Sequence, residues 1–346
     1  MRSFEYARPE TEAEAMEMLA EHGGNTAVLA GGTDLMSLLK RDVIQPARVV
    51  DIKNVSSWKG IKQHDGGVMI GANTTLEEIN EHALAADYRS LIDVIDGIRA
   101  IQITGNGTLA GDLCQLPHCW YFRNGYGLLA MKDSESLVAT GDNRYHAILG
   151  NSGPSKFVSA SRFAPAAMAW NAKVRVLTRD GSQSLQLGTR NSELGTLHEE
   201  WLPLDYFFQS PKTNSQGVTV LKPGQLITHV WLPAASDTRS ATYEVLELCG
   251  LDQPQASAAC CLGLDGGIVR HAKIVLGQVA PTPWVAHEAA KWLIGQSMTS
   301  DIAETAGRMA LANATPLSHN DYKVTMAQTA VKRALLKATN QLGEVL

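Results

Sequence analysis

The run Val28-Leu29-Ala30-Gly31-Gly32-Thr33-Asp34-Leu35 constrains this chain more than any other stretch. A β-type apolar run breaks at paired glycines and restarts at Thr33 with a helical pattern, which predicts a strand, a tight turn and a helix start in one short span. Such a succession makes an anion cradle. Glycines let the backbone come close to a ligand, and the unpaired N–H groups at a helix start, with the positive end of its dipole, favour negative charge. A diphosphate is the natural guest. Paired glycines alone usually just end a strand, so the reading needs a second site.

That second site is Gly107-Thr108-Leu109-Ala110-Gly111-Asp112-Leu113, again small residues with a hydroxyl, following a helix-like segment from Ser90 to Arg99. Two such loops, distant in sequence, can close on one extended cofactor from both sides. The run Gly71-Ala72-Asn73-Thr74-Thr75 lies between them, and Gly277-Gln278-Val279-Ala280-Pro281-Thr282-Pro283 follows near the C-terminus. In this order the motifs resemble the FAD-binding medium subunit of the molybdenum hydroxylases, the family of xanthine dehydrogenase, carbon monoxide dehydrogenase and 4-hydroxybenzoyl-CoA reductase. The resemblance covers essentially the whole chain, and its specificity lies in the ordered set of motifs.

The resemblance implies an α/β plus α+β fold: a two-lobed FAD-binding domain (PCMH-like) followed by a smaller C-terminal α+β domain. It implies one noncovalent FAD, held by Val28, Leu29, Ala30, Gly31, Gly32, Thr33, Asp34 and Leu35 of the first loop and by Gly107, Thr108, Leu109, Ala110, Gly111 and Asp112 of the second. Ile98, Arg162 and Ile227 complete the expected contacts. It also implies electron transfer. Two electrons leave a substrate at a molybdopterin centre on a large partner subunit, pass singly through two-iron clusters on a small iron–sulfur subunit, and collect on the flavin, in an assembly expected to be a dimer of heterotrimers. The flavin carries the redox chemistry and the protein positions it, so no catalytic residue of this chain is required. The substrate pocket belongs to another polypeptide, which leaves purines, other N-heterocycles, aldehydes and aromatic acyl-CoA compounds open.

Bulk properties agree. At 346 residues, 45% of them hydrophobic, the chain exceeds what one core usually serves. A formal charge of −5 provides no basic stripe for a nucleic acid. Five cysteines do not form a disulfide framework, the N-terminus Met1-Arg2-Ser3-Phe4-Glu5 lacks a signal-peptide apolar core, and no run is long and apolar enough to span a membrane. These features predict a cytoplasmic subunit.

The FAD-binding domain is expected over 1–233, in lobes of about 1–55 and 56–233, and the C-terminal domain over 238–346. In the first lobe, Thr11 and Glu14 predict a capping box before a helix with an Ala13, Met16, Leu19 stripe. The strand Ala27–Ala30, a helix through Met36 to Lys40 and the strand Val49–Lys53 follow. In the second, strands are expected at Val68–Gly71, Lys173–Leu177 and Leu226–Leu232, with a helix capped by Thr74 and Glu77. Ala235–Arg239 reads as a linker. Beyond it, strands at Tyr243–Leu248, Ala256–Leu264 and Val269–Val279 precede helices near His287–Ile294, Asp301–Asn313 and Met326–Asn340.

An insertion at about 114–160, with Cys119-Trp120-Tyr121-Phe122-Arg123 and Asn143-Arg144-Tyr145-His146-Ala147-Ile148, sets the chain apart. It resembles the insertion that carries a four-iron cluster in the 4-hydroxybenzoyl-CoA reductase and bacterial aldehyde oxidoreductase branches. Such a cluster needs four thiolates. Here only Cys114 and Cys119 are close, and Gly125, Ser136 and Ser155 stand where ligands are expected, so the loop is read as kept without an iron–sulfur cluster. Its aromatics are expected near the flavin, at a subunit boundary, or packed in a small core of their own. His118 and His146 read as structural or surface residues.

The second loop departs from the family's Gly-Thr-Ile-Gly-Gly-Asn by carrying Ala110 and Asp112. A carboxylate is repelled by a diphosphate, so Asp112 bonds backbone or ribose hydroxyls, or turns away. Arg162 either pairs with the diphosphate or is a surface arginine, and Glu244–Gly250 lacks the family's basic residues. The alternative to an electron-transfer subunit is a self-contained FAD-dependent oxidase or dehydrogenase, for which the C-terminal domain is small. A non-catalytic nucleotide scaffold requires the motif order to be coincidence. A nicotinamide Rossmann protein lacks its third glycine, and only Asp51 is placed to bind a ribose.

Overall fold

The computed structural model describes residues 1–20, 25–179, 196–248 and 252–343, and every count below refers to these. The first lobe runs β1 (Glu5–Ala7), α1 (Glu12–Ala20), β2 (Thr26–Leu29), α2 (Leu35–Lys40) and β3 (Arg48–Asp51). Its strands pair in parallel in the order β1-β3-β2. Parallel neighbours need crossovers, which α1 and α2 supply. Since β2 is an edge strand ending at Leu29, the chain leaves the sheet directly into the glycine turn.

The expected box on α1 is modified: Thr11 accepts from the Glu14 N–H (3.2 Å), but the Glu14 carboxylate reaches back to the Glu10 N–H (2.9 Å). The helix buries Ala15, Met16 and Leu19 and leaves Ala13 exposed, so its inward face is rotated from the expected stripe.

The second lobe begins with β4 (Ile61–His64), β5 (Gly67–Gly71), α3 (Leu76–Glu81), α4 (Arg89–Gly97), α5 (Ile101–Thr104) and α6 (Leu109–Leu113). The insertion follows, with α7 (Trp120–Arg123), β6 (Met131–Lys132), β7 (Glu135–Ser136) and α8 (Leu137–Thr140). The lobe resumes with α9 (Phe163–Ala169), β8 (Lys173–Arg179), β9 (Leu197–Pro203) and β10 (Gln225–Pro233). The sheet order is β4-β5-β10-β8-β9, antiparallel throughout. Helix α3 starts one residue later than its sequence pattern predicts. Thr75 and Glu78 form its capping box, while the Thr74 hydroxyl bonds the N–H and carbonyl of Gly60. One core joins the two lobes, with Met16 and Leu19 of α1 packed in the same cluster as Ile70, Leu109 and Phe163.

The C-terminal domain is an antiparallel sheet, β11 (Thr238–Val245), β12 (Ala256–Asp265), β13 (Ile268–Gly277) and β14 (Trp284–Val285), with α10 (His287–Leu293), α11 (Ser300–Ala310) and α12 (Tyr322–Ala338). Strand β11 begins within the stretch read as a linker. Its polar residues are structural: the Ser240 hydroxyl accepts from the Ser90 N–H (3.0 Å) and the Thr242 hydroxyl donates to the Ser90 carbonyl (2.8 Å), tying the sheet to α4. The expected strand end at Leu248 is reached earlier, at Val245. The insertion is part of this domain's packing. Ile148 and Leu149 are fully buried in its core, and both N–H groups donate to the Val279 carbonyl. Among the described residues no helix is long and apolar enough to cross a membrane.

Candidate functional site

The two glycine-containing loops touch. A Cβ on Gly31 would lie 1.9 Å from the carbonyl oxygen of Asn106 and 3.0 Å from the Cα of Gly107, so only glycine permits this approach. The second loop is anchored from behind, because the Gly107 carbonyl accepts from the Leu76 N–H (2.9 Å) and its N–H donates to Ile103 (2.7 Å). Gly32 has φ +72°, the left-handed conformation the turn needs. Among the described residues, the N–H groups of Gly31, Gly32, Thr33, Asp34 and Leu35 donate to no acceptor in the chain, which leaves a row of donors at the rim.

Between the loops lies a cavity of about 550 Å³, a size typical of cofactor sites. Val28 and Ala30 to Leu35 line it from the first loop, and Gly107, Thr108, Ala110, Gly111 and Asp112 from the second; Ile98, Arg162 and Ile227 also line it. Leu29 and Leu109 do not. Side chains alternate along a strand, so with Val28 and Ala30 facing the cavity Leu29 points away, its Cδ1 lying where a Cβ on Gly32 would come within 3.0 Å. Leu109 faces the core, 1% exposed.

Asp112 turns away from the rim. Its carboxylate accepts from the Ser161 hydroxyl and from the Phe163 N–H (3.1 Å), holding the start of α9. Burial pushes its carboxyl up to about 6, against these hydrogen bonds. Thr108 caps α6 through the Gly111 N–H (3.1 Å). Arg162 is not a surface arginine, although it lines the cavity. It is 5% exposed and forms a two-pronged ion pair with Glu244 of β11, including Nε to Oε1 at 2.9 Å. The guanidinium therefore joins the FAD-binding part to the C-terminal sheet. Burial raises the Glu244 carboxyl, with Arg162 opposing.

Sequence reasoning missed much of the apolar wall, including Leu38, Ile44, Ile52, Leu76 and Ile103, because single apolar residues from separate elements carry no local signal. It also missed Gln115, Leu116 and His118 at the start of the insertion, and Gln253, whose Oε1 is buried without a partner. The start of the insertion lies at the cavity, whereas its aromatics Trp120, Tyr121 and Phe122 do not line it. Arg123 pairs with Asp34 at 2.8 Å. The Cys119 Sγ sits 3.2 Å from Nε2 of His146, which is 2% exposed and pushed down to about 4, chiefly by burial. Cys249 lies outside the described residues. Among the described residues no group of three or more His, Cys, Asp or Glu is placed to hold a metal ion.

The site has the features FAD requires. It offers apolar walls for a ring system, a rim of unpartnered N–H groups for a diphosphate, a glycine contact that any Cβ would fill, and an orphaned buried acceptor on Gln253. Over its full length the chain is similar to the aldehyde oxidoreductase FAD-binding subunit PaoB of Escherichia coli (strain K12), 26% identical over 344 residues that span 99% of this chain and 100% of the relative. It is 26% identical to the carbon monoxide dehydrogenase medium chain of Afipia carboxidovorans, over 97% of this chain and 96% of that one. Among solved structures, a reconstituted CO dehydrogenase from Oligotropha carboxidovorans shares the fold, with a TM-score of 0.74 at 22% identity, covering 98% and 99% of the two chains. Residues 241–338 match the CO dehydrogenase flavoprotein C-terminal domain. Residues 2–195, more than half of the chain, match the FAD binding domain in molybdopterin dehydrogenase, and the chain belongs to that family.

Proposed function

We propose that this chain is the FAD-carrying electron-transfer subunit of a molybdenum-containing hydroxylase or dehydrogenase, working with a small iron–sulfur subunit and a large molybdopterin subunit in a dimer of heterotrimers in the cytoplasm. The observation that carries the reading is the closure of the Gly31 and Gly107 loops around a cavity whose rim presents unpartnered N–H groups, in a chain of this family. FAD supplies the interchange between two-electron and one-electron steps. The chain's residues hold it: backbone N–H groups of Gly31 to Leu35 take the diphosphate, and Ile98, Ile227 and the other apolar side chains exclude water from the ring. Asp112 also fixes α9, and Arg162, at the cavity wall, also fixes the C-terminal sheet.

The domain reading is 1–233 for cofactor binding and 238–346 for the C-terminal unit, supported by the second core that the C-terminal elements build, to which the insertion adds Ile148 and Leu149. Partnership is supported by the relatives, which are named as a FAD-binding subunit and a medium chain. Expressed alone, the chain is expected to purify yellow, with one FAD, and to oxidise neither aldehydes nor N-heterocycles. Co-expression with the reading frames beside it in its genome should recover a three-subunit complex that turns over. Substrate oxidation by the isolated chain would instead establish the self-contained oxidase.

A further inference from the structure

We infer that Arg123 of the insertion is a positioning residue for the cofactor, a strap that neutralises Asp34 in the diphosphate loop and binds the insertion's first residues to the cavity wall; this rests on the FAD reading above. Asp34 stands immediately before α2, where a carboxylate commonly caps the helix, yet it makes no side-chain cap bond. Its Oδ1 instead meets Nη1 of Arg123 at 2.8 Å, with the two side chains 15% and 8% exposed. The guanidinium's other nitrogens are committed as well. Nε donates to the Pro117 carbonyl (2.8 Å) and Nη2 to the Leu116 carbonyl (2.9 Å).

Leu116 and His118 line the cavity, as does Asp34, so one guanidinium fastens the first loop to the start of the insertion at the cavity wall. It also cancels a charge. An unpaired carboxylate beside the donor rim would repel an anionic diphosphate in a poorly screened site. Among the described residues no other cation pairs with Asp34. With all three nitrogens engaged by the protein, Arg123 acts through Asp34 and the wall, not by touching the cofactor.

The test measures FAD dissociation constants of the full-length chain by flavin fluorescence, with thermal unfolding of each apoprotein as the control for folding. Arg123→Gln is expected to weaken FAD about tenfold or more, and Asp34→Asn to bind at least as tightly as the parent. The decisive variant is the double one: Asp34→Asn in the Arg123→Gln background should recover most of the lost affinity, since the uncompensated charge is gone. Should Arg123→Gln fail to fold, Arg123→Lys carries the test: the charge on Asp34 is kept and the bonds to Leu116 and Pro117 are lost, so a loss of less than about tenfold is expected, and Asp34→Asn in that background should recover none of it. Equal weakness of Arg123→Gln with and without Asp34→Asn would overturn the inference, leaving Arg123 a purely structural tether, as would unchanged affinity in Arg123→Gln. Failure of the parent chain to bind FAD at all would remove the functional reading itself.

Discussion

Replacing Gly31 with alanine places one methyl group against the backbone of the second loop. The added Cβ would sit 1.9 Å from the Asn106 oxygen and 2.6 Å from its carbonyl carbon, where ordinary contact begins near 3.4 Å. Relief requires the loops to part by about 1.5 Å. The obstacle cannot rotate aside, because it is main chain pinned through Leu76 and Ile103. Overpacking of this kind costs about 1–3 kcal/mol. Gly67→Ala makes the control. Its Cβ would lie 2.1 Å from the Leu232 oxygen, again main chain, but in the β5–β10 pair and not at the cavity. Comparable losses in unfolding midpoint are therefore expected from both variants, with flavin content falling sharply only in Gly31→Ala. The assay is flavin absorbance per chain after gel filtration, alongside thermal unfolding of the apoproteins. Flavin content in Gly31→Ala equal to that of the parent would refute the reasoning that the loop contact forms the site.

The buried carboxyl of Asp112 leads to a pH signature. With its folded value raised to about 6 from 3.8, the native state keeps the proton longer than the unfolded chain does, so its contribution is fully present below 3.8 and is lost as pH rises through 6. Asp112→Asn should therefore gain on the parent by about 2–3 kcal/mol between pH 4 and pH 8 in urea unfolding, and a difference that does not vary with pH would contradict this. Glu244→Gln strands the Arg162 guanidinium in a buried site and is expected to cost about 3–5 kcal/mol, whereas Arg162→Met with Glu244→Leu should recover much of the loss; a double-mutant cycle reads the coupling. Iron analysis of the purified chain should find no stoichiometric iron, and Cys119→Ser should leave that result unchanged; iron and sulfide lost on that substitution would identify ligands from elsewhere in the chain.

How much of this was legible beforehand follows from the range of the interactions. The glycine loops could be read directly, because a turn with positive φ and a strand-to-helix transition are written in adjacent residues, and Gly32 shows that conformation. Strand positions in the C-terminal sheet were likewise near their expected places, since alternation is a local pattern. Boundaries suffered where polar residues were buried against a partner. Ser240 and Thr242 look like turn residues until α4 supplies their hydrogen bonds. The shift from Thr74 to Thr75 at the α3 cap has the same origin, because Gly60 takes the first hydroxyl.

The sequence by itself determined that two small-residue loops occur in a recognisable order and that the backbone there can approach a diphosphate. Only the tertiary structure decided how the charges around the cavity are paired. Arg162 was read as a diphosphate partner or a surface residue, and the structure has it buried at the cavity wall and paired, because β11 brings Glu244 to it from 82 positions away. Arg123 was read only together with its aromatic neighbours, as near the flavin or a subunit boundary, and the fold of the insertion delivers it to Asp34. Local geometry follows from the dihedral preferences of neighbouring residues and is written in short words. The pairing of a buried charge depends on which distant group the packed core leaves beside it, and no local pattern encodes that.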